Sequence, residues 1–140
     1  MSARVEAAFL SDLHVAELWS GLHRLLDPLI FYSAILRGIL TAPTGFVTDY
    51  ASSPRPFWSL VPPDGPWKWA AVVHDAASQG ALVTENGVRI HLVKNVTDEL
   101  FREAMSVPPC NTVSPVKRWV MYRMVRRFGH GAYGGPGTTV

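Results

Sequence analysis

The residues best suited to chemistry lie in three polar islands within apolar surroundings: TDYASSPR at 48–55, HD at 74–75 and TDELF at 97–101. A His-Asp pair inside AAVVHDAAS is costly to bury unless other side chains satisfy it. The flanking islands hold the partners: Asp49, Ser52, Ser53, Arg55 and Asp98. In such a cluster His74 can serve as a general base, with a carboxylate from a neighbouring helix fixing its tautomer and stabilising the imidazolium. Asp98 is the expected carboxylate. Asp75 lies about 100° further round a helix and is left for a separate task, ligating a hard cation together with loop carbonyls. Asp49 is the second candidate metal ligand. The structural alternative is a satisfied core histidine beside two helix-surface acids. In that reading Thr48, Ser52 and Ser53 hold turns of a polar loop and Arg55 pairs a buried acid. Both readings stay open on these residues alone.

The surrounding pattern predicts how the islands are carried. Residues 18–47 are rich in aromatic and branched side chains, interrupted at Asp27-Pro28 and Arg37-Gly38, and read as a short antiparallel meander. Residues 1–17 are moderately amphipathic and carry no clear signal. Prolines at 54, 56, 62, 63 and 66 mark an irregular loop. A first helix is expected after it, with Asp64 as cap, Pro66 in its first turn and Gly80 as its stop. Trp67, Ala70, Ala71, His74, Ala77 and Ser78 fall on one face at helical spacing. A hairpin turning at Asn86-Gly87 follows. A second helix, capped by Asn95 or Thr97, places Asp98, Phe101 and Met105 on one buried stripe. Ser114 as cap and Pro115 at the first helical position open a third helix that Gly129 ends. The fold class expected is therefore α+β: an N-terminal antiparallel β-meander followed by three helices, two of them an antiparallel pair carrying His74 and Asp98. Residues 1–128 form one domain, and the Gly-rich tail at 129–140 is either flexible or docked on a partner.

Bulk properties narrow the function classes. At 140 residues the chain is one domain long enough to bury a self-sufficient core. A formal net charge of +2 does not by itself imply a polyanion partner. The basic residues of the third helix (Lys117, Arg118, Arg123, Arg126, Arg127) read as a solvated face with two charges at the helix C-terminus, so nucleic acid is not an expected partner. The single Cys110 excludes an internal disulfide framework and a Cys-based metal site, and a small buried hydrophobe is its default role. His14, His23, His91 and His130 lack metal-ligand spacing. No GxSxG supports a serine nucleophile at Ser52 or Ser53. No apolar stretch approaches the ~20 residues that span a bilayer, and acidic residues interrupt the N-terminal apolar runs. A soluble protein made in a cytoplasm is expected.

The order GFVTDYASSPR, AAVVHD, TDELFREAM and WVMYRMVRRFG resembles a small domain of unknown function encoded by tailed phages and prophages, whose pattern is GFxTDxASxPR, AAxxHDxLY, ADxxFxxAM and MYxxVRxFG. The match runs from about residue 45 to 129. Here Ala77-Ser78 stand where that pattern has Leu-Tyr, and a hairpin is inserted before the second helix. More distantly the motifs are similar to phospholipase A2. That resemblance implies that His74 activates water, Asp98 orients it, and Asp75, with the loop around Asp49 to Ser53, holds Ca2+. The resemblances imply a phage-encoded protein made in the host cytoplasm and carried in the virion if it is a particle component. Two roles are expected. The first is a virion (tail) or assembly component, contacting other phage proteins or itself, with the 129–140 tail as a candidate contact. The alternative is a metal-assisted hydrolase of lipid or cell-envelope esters during infection. The missing Tyr tips the reading towards the first.

Overall fold

The computed structural model describes residues 6–19, 22–49 and 65–128. Ser52, Ser53, Arg55, Asp64 and the tail at 129–140 lie outside the described residues. Antiparallel strands form two sheets and three helices follow, so the α+β expectation holds. One sheet has the order β1-β4-β5-β7, with β1 (Ala8–Phe9), β4 (Leu29–Ser33), β5 (Gly38–Ala42) and β7 (Val83–Thr84). The other has the order β2-β3-β6, with β2 (Val15–Glu17), β3 (His23–Leu25) and β6 (Val47–Thr48).

The strands are more numerous than the sequence pattern implied. Residues 1–17, which carry no clear signal, contribute β1 and β2, because two or three residues are too few to show a period of two. Their pairing is tertiary: Phe9 stands opposite Phe31 across β1–β4, with ring centroids 4.7 Å apart. The meander itself divides between the sheets. β4 and β5 pair over five positions from Leu29↔Ala42 to Ser33↔Gly38, while β3 leaves to pair β2 and β6. Alternation in β4 buries Leu29, Phe31 and Ser33 on one face, as expected for a half-buried strand.

The Asn86-Gly87 turn is present. Gly87 adopts φ 78°, the Gly87 amide donates to the Thr84 carbonyl and Thr84 pairs with Val88. This is a three-residue loop with a left-handed glycine at its end. It folds the chain back so that Arg89 bridges Val83, while β7 itself pairs β5 through Leu40↔Thr84 and Thr41↔Val83.

Helix α1 (Lys68–Ser78) starts two residues after Pro66, without a side-chain cap. Every residue from Ala70 to Ser78 is buried, so the helix is wrapped on all sides and Asp75 is not at a solvent edge. Gly80 ends it at φ 65°. The Gly80 amide donates to the Ala77 carbonyl and the Ala81 amide to the Ala76 carbonyl, the paired bonds of a Schellman cap. A Cβ at Gly80 would also meet the His91 ring at 2.8 Å. Gly80→Ala is expected to lower stability by about 1–2 kcal/mol, read from the midpoint of urea denaturation; an unchanged midpoint would show that the cap relaxes freely.

Helix α2 (Lys94–Met105) begins earlier than either expected cap, with Val93 in the cap position. Thr97 is fully buried inside it rather than capping it. The earlier start places Lys94 one turn ahead of Asp98. Helix α3 (Pro115–Phe128) does open at Ser114, whose Oγ accepts the Lys117 amide at 3.3 Å. Only part of its apolar circumference is covered: Met121 and Val125 are buried, whereas Val116 and Trp119 face outward. Glu103 on α2 ties the helices to the first sheet. Its carboxylate accepts from Ser33 Oγ at 2.7 Å and from the amides of Ala34 and Ile35 at 2.9 and 3.0 Å.

Cys110, in a short 3-10 turn (Cys110–Thr112), is fully buried and points its thiol at the Pro66 carbonyl, 3.1 Å away. Burial pushes the thiol pKa up to about 12, which suppresses the nucleophilic thiolate. Native protein is expected to resist iodoacetamide, and urea-unfolded protein to take up one label by mass spectrometry. Rapid native labelling would contradict the burial.

Candidate functional site

Among the described residues, members of all three polar islands lie against α1 or on it. On one flank, Thr48 at the end of β6 donates its hydroxyl to Asp75 Oδ2 at 2.5 Å. Both residues are buried, so this bond settles a carboxylate that would otherwise be costly to enclose. On the other flank, His74 Nε2 lies 3.0 Å from Asp98 Oδ1. His74 is 3% exposed and Asp98 0%. The fold thus brings His74 and Asp98 together, and Asp75, expected to ligate a cation, is bonded to Thr48.

Asp98 is the hub of a larger network. Its second oxygen, Oδ2, accepts from Lys94 Nζ at 2.5 Å, and the Arg126 guanidinium stands 3.7 Å away. Lys94 also donates to the carbonyls of Val125 and Arg126 at 3.3 and 3.2 Å, near the C-terminus of α3. One carboxylate therefore links all three helices. Burial by itself would raise the pKa of Asp98. Hydrogen bonds and favourable charge interactions with His74 and Lys94 outweigh it, and the carboxyl is held below its ordinary value. Sequence reasoning missed Lys94, although its spacing four residues before Asp98 was a readable signal. Arg126 carried none, since its approach depends on how α3 crosses α2.

The ionised Asp98 decides the chemistry of the ring. A carboxylate only accepts hydrogen bonds, so Nε2 carries the proton in the neutral imidazole and Nδ1 carries the lone pair. Phe101 holds the ring edge-on, with centroids 5.6 Å apart and planes at 78°. Nδ1 itself is buried and has no hydrogen-bond partner among the described residues; the only other side-chain atom there in that condition is Ser78 Oγ. A histidine whose one nitrogen is pinned by a carboxylate and whose other is an unengaged acceptor has the arrangement of a general base.

Asp49 is exposed, while Asp75 is engaged by Thr48. Among the described residues no three His, Cys, Asp or Glu side chains group in a way that could hold a metal ion. No described helix is long and apolar enough to cross a membrane.

Comparison with known proteins places the chain in a family. The family model described as Protein of unknown function (DUF1353) matches residues 23–125, which include β3 to β7, α1, α2 and most of α3. No curated protein and no solved structure matches the chain.

Proposed function

Since this chain belongs to the DUF1353 family of proteins of unknown function, its own geometry must supply the reading, and we propose that it is a phage-encoded hydrolase in which His74 activates water against a lipid or cell-envelope ester. The carrying observation is that Asp98 accepts the Nε2–H hydrogen bond at 3.0 Å and leaves buried Nδ1 unpartnered among the described residues. In the reaction Nδ1 takes a proton from water as the water oxygen attacks the ester carbonyl. The resulting imidazolium is stabilised by Asp98 and returns the proton to the departing alkoxide. With Nδ1 enclosed, the site has to open for substrate to enter. Phage origin and the ester substrate rest on the motif resemblance. Calcium, expected on the same ground, would fall to Asp75 and Asp49.

The test compares wild type with His74→Ala in fatty-acid release from phospholipid vesicles, with calcium and with EDTA. Release by wild type, reduced about 10²–10⁴-fold in the variant, is the expected result. Equal background release from both proteins would sink the hydrolase reading, and loss of release in EDTA would bring the metal back into the mechanism.

A second reading, a virion or assembly component, has a specific observation of its own. Val116 and Trp119 on α3 are 72% and 62% exposed, with the Arg123 guanidinium 5.6 Å from the Trp119 ring centre. An exposed aromatic with an arginine beside it is the composition enriched at protein interfaces. Trp119→Ser is expected to abolish self-association in light scattering, or co-purification with phage particles. Unchanged behaviour in both assays would remove this reading. The 129–140 tail is a further candidate contact.

A further inference from the structure

We propose that Ser78 is a positioning residue, and that its hydroxyl and His74 Nδ1 together hold one water molecule inside the protein. The inference rests on the hydrolase reading and adds where the attacking water sits.

Two independent facts point to the same spot. His74 Nδ1 and Ser78 Oγ are the two buried side-chain polar atoms without a hydrogen-bond partner among the described residues, and they belong to residues four apart on α1. Residues at that spacing share a helix face, with Cβ atoms on the order of 5–6 Å apart. A helical side chain leans towards the N-terminus, over the preceding turn, so Ser78 leans over the turn that carries His74. One water between the two groups would satisfy both.

The state of Ser78 is unusual in itself. A buried serine in a helix ordinarily returns its hydroxyl to the carbonyl four residues back, which here is that of His74. Ser78 makes no such bond, although its residue is only 6% exposed. The chemistry of the pair is complementary. Nδ1 is an acceptor, because Asp98 holds the ring proton on Nε2, and a hydroxyl both donates and accepts. A water donating one hydrogen to Nδ1 and accepting from, or donating to, Ser78 Oγ satisfies both groups and has the two polar partners that a buried water requires. The hydrogen directed at Nδ1 is the one that a general base removes.

Ser78→Ala and Ser78→Thr separate this role from packing, since alanine is the best helix former and threonine restores the hydroxyl. Two readouts are needed. Water-to-protein NOEs and the 15N shift of His74 Nδ1 report the bound water without any assay of activity. Steady-state kinetics report its use. The expected result is a long-lived water contact at His74 and Ser78 in wild type, lost in Ser78→Ala with a shifted Nδ1 resonance and regained in Ser78→Thr. Alongside it, kcat should fall about 10-fold with KM unchanged. An Nδ1 resonance identical in wild type and Ser78→Ala, or a Ser78 hydroxyl found bonded to the His74 carbonyl, overturns the proposal while leaving His74 as a base. A confirmed water with no ester release by wild type sustains the site and overturns the hydrolase reading instead.

Discussion

Replacing Asp98 by alanine is expected to destabilise the fold by about 3 kcal/mol, the lower end of the range for removing one partner of a buried ion pair. The carboxylate is wholly enclosed and takes hydrogen bonds from His74 and Lys94, so its loss strands two donors at once. The lower end applies because the Lys94 side chain is 21% exposed and can turn back to water, where its charge costs little. His74 has no such escape, being packed against Phe101. Asp98→Asn keeps the shape and removes the charge, and should lose less than the alanine variant. Chemical denaturation at neutral pH measures both. A loss under ~1 kcal/mol for the alanine variant would mean that the three-helix network contributes little beyond its packing.

The same residue sets a pH signature. Its folded pKa lies below the ordinary value, so its contribution to stability is fully present above the unfolded carboxylate pKa of about 3.9 and is lost as pH falls through the lower folded value. Wild type should therefore lose stability more steeply than Asp98→Asn as pH drops below about 4. Parallel acid limbs would show that the charge of Asp98 is not coupled to folding.

The second large effect is expected at Phe101, where truncation to alanine should cost about 3–5 kcal/mol. Phe101 is 1% exposed and belongs to the main core cluster with α1 residues and Leu100, Ala104 and Met105. Removing the ring opens a cavity in this core. It also removes the edge-on contact that orients His74. Phe101→Leu refills most of the volume and is expected to cost about 1.5 kcal/mol or less. The denaturation midpoints rank the two variants. If His74 loses its fixed tautomer in the 15N spectrum of Phe101→Leu, the ring serves to orient the base as well as to fill the core. Equal stability of Phe101→Ala and wild type would contradict the packing assigned to α2.

Much of the site was legible because the relevant signals are short-range. Helical spacing alone put His74 on a buried stripe of α1 and Asp98 on one of α2, and both are buried. Turn chemistry located Gly80, Asn86-Gly87 and Ser114-Pro115, since a left-handed glycine or a capping hydroxyl acts within four residues. The cap of α2 was misplaced for the same kind of reason: Thr97 has the chemistry of a cap, but its burial against the core overrode that local preference.

What the sequence by itself determined, then, is the three helices, the β-rich stretch before them and the two residues that would face each other, because periodicity and caps are properties of neighbouring residues. Tertiary structure decided the rest. The Thr48–Asp75 bond spans 27 residues and the His74–Asp98 bond 24. Only the docking of α1 against α2 could settle that Nε2, not Nδ1, faces the carboxylate. The division of the strands between two sheets and the approach of Arg126 likewise follow from pairing and helix crossing over long separations. A residue's type states what it can bond, and the packed fold states which atom it does bond. For His74 that difference determines which nitrogen is the base.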